Sequence, residues 1–130
     1  MGRSAKTDAC PALDGARVLV VEDNFLISAD LESTLADAGA EIVGPCRTAG
    51  DAVATLDGHA VSVAILDFQL VGHTSMSVVR QLVRRHIPFL FYTGQLDAEK
   101  IEAEWPGCRI ISKPAPLQTI VTAVAQLLGR

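Results

Sequence analysis

Little in this chain is suited to holding zinc, crossing a membrane or gripping nucleic acid. Its three cysteines, Cys10, Cys46 and Cys108, are far apart and form no Cys-x-x-Cys pair, which excludes the usual zinc spacings and reads as reduced thiols of a cytosolic protein. His59, His73 and His86 form no metal-ligand pattern either, and each reads as a surface or loop histidine. No apolar run approaches the roughly 20 residues of a membrane span. Met1–Gly15 lacks a signal-peptide core, and Lys6 occupies the position where myristoylation of Gly2 needs Ser or Thr. A soluble, cytoplasmic protein with no membrane partner is expected. Net charge is −4, and the nearest approach to a basic run is Arg80, Arg84 and Arg85, spaced like the wet face of a helix, so nucleic acid is not an expected partner. Neither G-x-x-x-x-G-K nor G-x-G-x-x-G occurs, which weakens a nucleotide- or cofactor-carrier reading.

What is present is half apolar, with 49% hydrophobic and 20% charged residues over 130 positions. That suffices for one packed domain. Residues 1–15 read as a flexible leader and 16–130 as the domain. Within it, strand-like and helix-like segments alternate. Strands are expected near 17–22, 41–44, 61–66, 88–92 and 108–111, with Gly44-Pro45 ending the second. Helices are expected over 25–38, where Ile27, Leu31 and Leu35 recur every fourth position and Gly39 follows, and over 49–57, capped by Thr48 with Val53 and Leu56 inward. Three more are expected: one from Thr74 or Ser75 to Arg85 with Met76, Val79, Leu82 and Val83 buried, a weaker one over 97–104, and a last one over 116–128. Residues 68–74, with Gly72, read as a loop. Repeated β-α units predict an α/β fold of the doubly wound, flavodoxin-like type: five parallel strands in the order 2-1-3-4-5 with helices on both faces.

In such a sheet ligands bind at the carboxyl ends of the strands, near the switch point between strands 1 and 3. Both of those strands end in acid. Arg-Val-Leu-Val-Val runs into Glu22-Asp23, and Val-Ser-Val-Ala-Ile-Leu runs into Asp67. Three carboxylates brought together repel one another and favour a hard cation such as Mg²⁺. Strand 4 ends at Thr93 and strand 5 at Ser112-Lys113-Pro114. A carboxylate can attack phosphorus to give an aspartyl phosphate, and a hydroxyl and an ammonium can stabilise the oxygens of the transferring group. Taken singly, each residue has a plainer reading: Asp67 as a cap, Lys113 as a solvated side chain, Thr93-Gly94 as a turn, Trp105 as a packing residue.

Together, Val-Leu-Val-Val-Glu-Asp-Asn, Ala-Ile-Leu-Asp-Phe-Gln-Leu, Phe-Tyr-Thr-Gly and Ile-Ser-Lys-Pro resemble the receiver domain of bacterial two-component response regulators. The resemblance covers about 16–129, and the spacings Asp23 to Asp67, Asp67 to Thr93 and Thr93 to Lys113 are 44, 26 and 20 residues. It implies that Asp67 is the phosphoacceptor, supplied by a histidine kinase. It implies that Asp23 and Asp67 bind Mg²⁺ directly, together with the backbone carbonyl of Gln69, and that Glu22 acts through water. Thr93 would be the switch hydroxyl and Lys113 the partner of Asp67 or its phosphate. A cis bond before Pro114 is implied as well. The face around strand 5 would serve for partner binding or a dimer.

The chain departs from the pattern in places. The aromatic residue often found three positions before the lysine is Ile110 here. Tyr92 is expected, from strand alternation, to point away from Thr93. The loop after Asp67 lacks the proline many receivers carry. Phe91-Tyr92-Thr93-Gly94-Gln95-Leu96 matches the Phe-Ala-Thr-Gly-x-Tyr signature of the FAT GUY subgroup at Phe91, Thr93 and Gly94. That subgroup consists largely of stand-alone receivers of alphaproteobacteria, and no DNA-binding module follows Lys113 in this sequence. Output through a downstream protein, relay to a histidine phosphotransfer protein and service as a phosphate sink all remain open. A small phosphohydrolase also uses an aspartyl nucleophile, but Gln69 stands where that class places a second acid.

Overall fold

The computed structural model describes residues 11–130. Five parallel strands, β1 (Arg17–Val21), β2 (Glu41–Cys46), β3 (Val63–Leu66), β4 (Phe89–Thr93) and β5 (Ile110–Ser112), form one sheet in the order β2-β1-β3-β4-β5. The helices are α1 (Phe25–Asp37), α2 (Ala49–Gly58), α3 (Met76–Arg84), α4 (Gln95–Glu104) and α5 (Leu117–Leu127). This is the doubly wound, flavodoxin-like arrangement expected from the alternation.

The central strands are apolar throughout because both faces are covered. On one face Leu19, Val21, Ala64, Leu66 and Phe91 pack with Ala52 and Leu56 of α2, Val78 and Leu82 of α3 and Ile101 of α4. On the other, Val18, Val20, Val63, Ile65, Leu90 and Tyr92 pack with Leu31 and Leu35 of α1 and Ile120, Val121 and Val124 of α5. Asn24 caps α1 by accepting from the Ile27 amide, and Thr48 caps α2 by accepting from the Asp51 amide, each at 3.1 Å. These bonds satisfy amides that a helix start leaves without a partner.

Several boundaries differ from the sequence reading. Gly44-Pro45 does not end β2. The strand continues to Cys46 with a shift in its register against β1, the Gly44–Pro45 peptide is cis, and Gly44 has φ 101°. An edge strand tolerates a proline, which has no N–H to donate. A Cβ on Gly44 would lie 2.8 Å from the Cys46 nitrogen, so glycine is required at this bulge. The loop after Asp67 contains a small antiparallel hairpin, Gln69–Leu70 against His73–Thr74, turning through Gly72 at φ 77°. Helix α4 starts at Gln95, two residues early, with Gly94 in the cap position.

The buried stripe of α3 is Val78 and Leu82. Met76 and Val79 are half-buried, and Val83 is 60% exposed. Val78 and Leu82 are fully buried, while Met76 and Val79 pack at the edge of the same core and Val83 is left outside it. Of the expected leader, residues 11–15 pack on the domain: Leu13 is fully buried and its amide donates to the Ala38 carbonyl at 2.9 Å. Residues 1–10, including Cys10, lie outside the described residues. Cys46 and Cys108 are free thiols. Among the described residues, no helix is long and apolar enough to cross a membrane.

Candidate functional site

The sheet register sets the site. Val21 pairs with Leu66, so the next residues along β1 and β3, Glu22 and Asp67, emerge side by side. The Asp67 amide donates to the Val21 carbonyl at 2.9 Å and the Glu22 amide to the Cys46 carbonyl at 2.9 Å, which fixes both backbones beyond the strand ends. Thr93 pairs with Ser112, and the Lys113 amide donates to the Thr93 carbonyl at 2.7 Å. Four strand ends thus deliver their side chains to one edge.

Asp67 is at the centre. Thr93 Oγ1 donates to its Oδ1 at 2.7 Å, and Lys113 Nζ donates to its Oδ2 at 2.8 Å. Lys113 Nζ also lies 2.8 Å from Glu22 Oε1, so one ammonium bridges two carboxylates. The other oxygen of Glu22 accepts from the Asn24 amide at 3.0 Å. Thr93 is fully buried, and its hydroxyl oxygen also lies within 3.4 Å of the Phe68 amide, which donates to it.

The electrostatics follow from burial and pairing. Burial pushes the Glu22 carboxyl above its ordinary range, although Lys113 and the Asn24 amide pull the other way. Burial would lower the Lys113 ammonium, but hydrogen bonds to Asp67 and Glu22 and their negative charge raise it on balance. The same ion pair therefore wins for the lysine and loses for the glutamate, as expected when the glutamate is the more deeply buried partner at 2% exposure.

Glu22, Asp23 and Asp67 each present an oxygen within 4.8 Å of the others. A set of hard oxygen donors with excess negative charge suits Mg²⁺. Both carboxylate oxygens of Glu22 are also engaged, one by Lys113 and the other by the Asn24 amide. All five side chains singled out in the sequence, Glu22, Asp23, Asp67, Thr93 and Lys113, are at this edge. Gln69 is exposed in the hairpin two residues beyond Asp67. The Lys113–Pro114 peptide is cis.

Two neighbours escaped the sequence reading. Tyr92 does point to the face opposite Thr93, yet its hydroxyl accepts from the Ala115 amide at 3.3 Å and its ring centroid is 5.7 Å from Lys113 Nζ. Phe68, directly after Asp67, is buried and packs edge-on to Phe91 at 6.0 Å and against Trp105 at 6.4 Å, with Lys100 Nζ 5.8 Å from its centroid. Strand period 2 assigns a residue to a face. It does not show that a long side chain at a strand end reaches the turn leaving a neighbouring strand.

Comparison with known proteins matches the same elements. Residues 18–125 match the model of the response regulator receiver domain. No curated protein matches the chain. Among solved structures, SdrG from Sphingomonas melonis Fr1 is 33% identical, with a TM-score of 0.76, over 90% of this chain and 98% of its own. A response regulator receiver protein from Sinorhizobium medicae WSM419 is 26% identical at a TM-score of 0.77, over 90% and 97%. The response regulator PhyR from Brucella abortus is 25% identical at 0.80, over 96% of this chain and 53% of that one. This chain therefore spans about half of PhyR. A family model spanning nearly every strand and helix, set on strand ends that carry these acids, hydroxyl and ammonium, leaves one conclusion: the chain belongs to the response regulator receiver family of two-component signalling.

Proposed function

We propose that this receiver accepts a phosphoryl group on Asp67 from the phosphohistidine of a histidine kinase, with Mg²⁺, and that the charged form then engages a partner protein. The observation that carries the proposal is the Asp67 carboxylate held between Thr93 Oγ1 at 2.7 Å and Lys113 Nζ at 2.8 Å, beside two further acids. In the transfer, a carboxylate oxygen of Asp67 forms a bond to phosphorus, the phosphorus–nitrogen bond breaks, and the imidazole leaves and recovers a proton from water. Bound Mg²⁺, held by Asp23, Asp67 and the Gln69 carbonyl with Glu22 reached through water, would neutralise charge on the phosphoryl oxygens. Lys113 and Thr93 supply the remaining donors, and both already address Asp67.

A protein partner is supported by exposed apolar side chains beside the site. Phe25, Leu26 and Leu96 are 74%, 73% and 82% exposed, and they follow Asp23 and Thr93 closely in sequence. A kinase or a histidine phosphotransfer protein would bury them while presenting its histidine to Asp67. PhyR of Bartonella quintana is described as an anti-anti-sigma factor, and a downstream protein of that signalling class is one candidate output. Relay and phosphate-sink roles use the same chemistry, and a phosphotransfer profile against candidate kinases and phosphotransfer proteins separates them.

The test is labelling by a small phosphodonor such as acetyl phosphate with Mg²⁺, read by intact mass. Wild type should gain one phosphoryl group, and Asp67→Asn should gain none. Equal labelling of both overturns the assignment.

A further inference from the structure

Tyr92 sits on the wrong face of the sheet to touch a phosphoryl group on Asp67, yet it touches what holds Lys113. Two consecutive residues of β4 grip the two ends of the turn that carries the lysine. The Thr93 carbonyl accepts from the Lys113 amide at 2.7 Å, and the Tyr92 hydroxyl accepts from the Ala115 amide at 3.3 Å. Between those anchors the Lys113 side chain runs past the Tyr92 ring, with Nζ 5.7 Å from the centroid, and ends between Glu22 and Asp67. The distance lies within the range over which an aromatic face attracts an ammonium. Tyr92 is only 6% exposed, and its ring is packed among Leu90 and residues of α1 and α5, so it has little freedom to move away.

Resting on the phosphoacceptor reading of Asp67, we propose that Tyr92 is a positioning residue for Lys113. Its ring fixes where the ammonium stands and its hydroxyl fixes the turn from which the side chain departs. Lys113 has a long, flexible stem, and without a wall it can point to solvent. A donor that must meet oxygens developing charge on phosphorus is effective only where it is held in advance. Tyr92 touches neither phosphorus nor metal, and it acts through the lysine.

A four-protein cycle tests this: wild type, Tyr92→Leu, Lys113→Ala and the double variant, each labelled by acetyl phosphate with Mg²⁺. Tyr92→Leu should slow labelling of Asp67 about three- to ten-fold, the range set by loss of a partly desolvated cation–π contact. Tyr92→Phe, which keeps the ring, should recover most of the rate. In the Lys113→Ala background, Tyr92→Leu should add no further slowing, because the group it positions is gone. A merely structural role would slow both backgrounds equally, and that result, or an unchanged rate in Tyr92→Leu, overturns the proposal.

If wild type takes no label, the phosphoacceptor reading itself fails. The placement of Lys113 by Tyr92 is then read from urea midpoints of the same four proteins. Destabilisation by the double variant smaller than the sum of the two single effects supports the contact, and strict additivity overturns it.

Discussion

Replacing Lys113 by methionine probes how the charges of the site are balanced. Its ammonium stands 2.8 Å from both Glu22 and Asp67. Methionine keeps much of the apolar stem and removes the charge. Glu22, 2% exposed, is then a buried carboxylate with only the Asn24 amide for company, facing Asp67 and Asp23. Removing one partner of a buried ion pair costs about 3–5 kcal/mol. Here the loss is smaller because Lys113 and Asp67 remain 19% and 12% exposed, so water reaches one side, and because Glu22 can take up a proton. A destabilisation of about 2–3 kcal/mol at pH 7 is expected. With a urea dependence of about 1–3 kcal/mol per molar, the midpoint falls by about 0.7–3 M.

The pH dependence carries a sign. The Glu22 carboxyl is already raised in the folded chain, and losing Lys113 raises it further. A group raised on folding adds stability as pH falls through its folded pKa, so the deficit of Lys113→Met relative to wild type should shrink between pH 7 and pH 5. Lys113 is itself raised above 10.5. Its contribution in wild type is therefore complete at neutral pH and is lost only as pH climbs through that raised value, so the deficit also closes at strongly alkaline pH. On the proposed Mg²⁺ site, the ion would supply the missing positive charge. A ligand at 100 times its dissociation constant stabilises by about 2.7 kcal/mol, and the gain should be larger in Lys113→Met than in wild type, where the lysine competes for the same oxygens. Adding Asp23→Asn should remove that rescue. Urea denaturation with and without Mg²⁺ at pH 5, 7 and 8, and without Mg²⁺ at about pH 11, measures all of this. An unchanged midpoint at pH 7, or a deficit flat in pH and indifferent to Mg²⁺, refutes the charge balance described.

Two further outcomes are expected. Leu13→Ala should cost about 2–4 kcal/mol, as for other fully buried leucines, and lower the thermal midpoint; a loss under about 1 kcal/mol would show that residues 11–15 add little to the domain. Beryllofluoride with Mg²⁺, standing for the phosphoryl group on Asp67, should shift the emission of Trp105, the single tryptophan, and Phe68→Leu should at least halve that shift; an equal shift in both proteins refutes transmission through Phe68.

The sheet order and the chemistry of its edge were legible because each rests on one-dimensional signals. Runs such as Val18–Val21 and Val63–Leu66 are apolar at every position, which only a sheet covered on both faces demands, and the acids fall directly after them. Lys113 and Thr93 are likewise strand-end residues. What escaped depended on three-dimensional neighbours. Gly44-Pro45 looks like a stop, but at an edge strand the missing N–H costs no ladder bond and the glycine's positive φ makes a bulge instead. Val83 looks like core by helical spacing, yet α3 turns Val78 and Leu82 to the sheet. Met76, Val79 and Val83 are left to line an open groove of about 550 Å³, with Phe89, Phe91 and Trp105 beyond them.

That groove bears on one position where this chain departs from the receivers it resembles. With Ile110 at the usual aromatic position, no ring there can rotate toward a vacated space behind Thr93. Another aromatic residue is joined to the site through its backbone: Phe68, one residue after Asp67, whose amide donates to Thr93 Oγ1. The Thr93 hydroxyl spends its proton on Asp67 and accepts the Phe68 amide with its oxygen, so any draw on that hydroxyl by new charge at Asp67 is felt by the Phe68 backbone. The Phe68 ring has no room to absorb a shift alone, since it is buried against Phe91 and Trp105. Trp105, 37% exposed, forms the groove wall. A displacement of Phe68 must therefore appear as a change in packing at Trp105. Under the proposed phosphorylation of Asp67, such a route would use residue 68, bonded directly to Asp67, while Ile110 is half-buried on β5 and packs against the core.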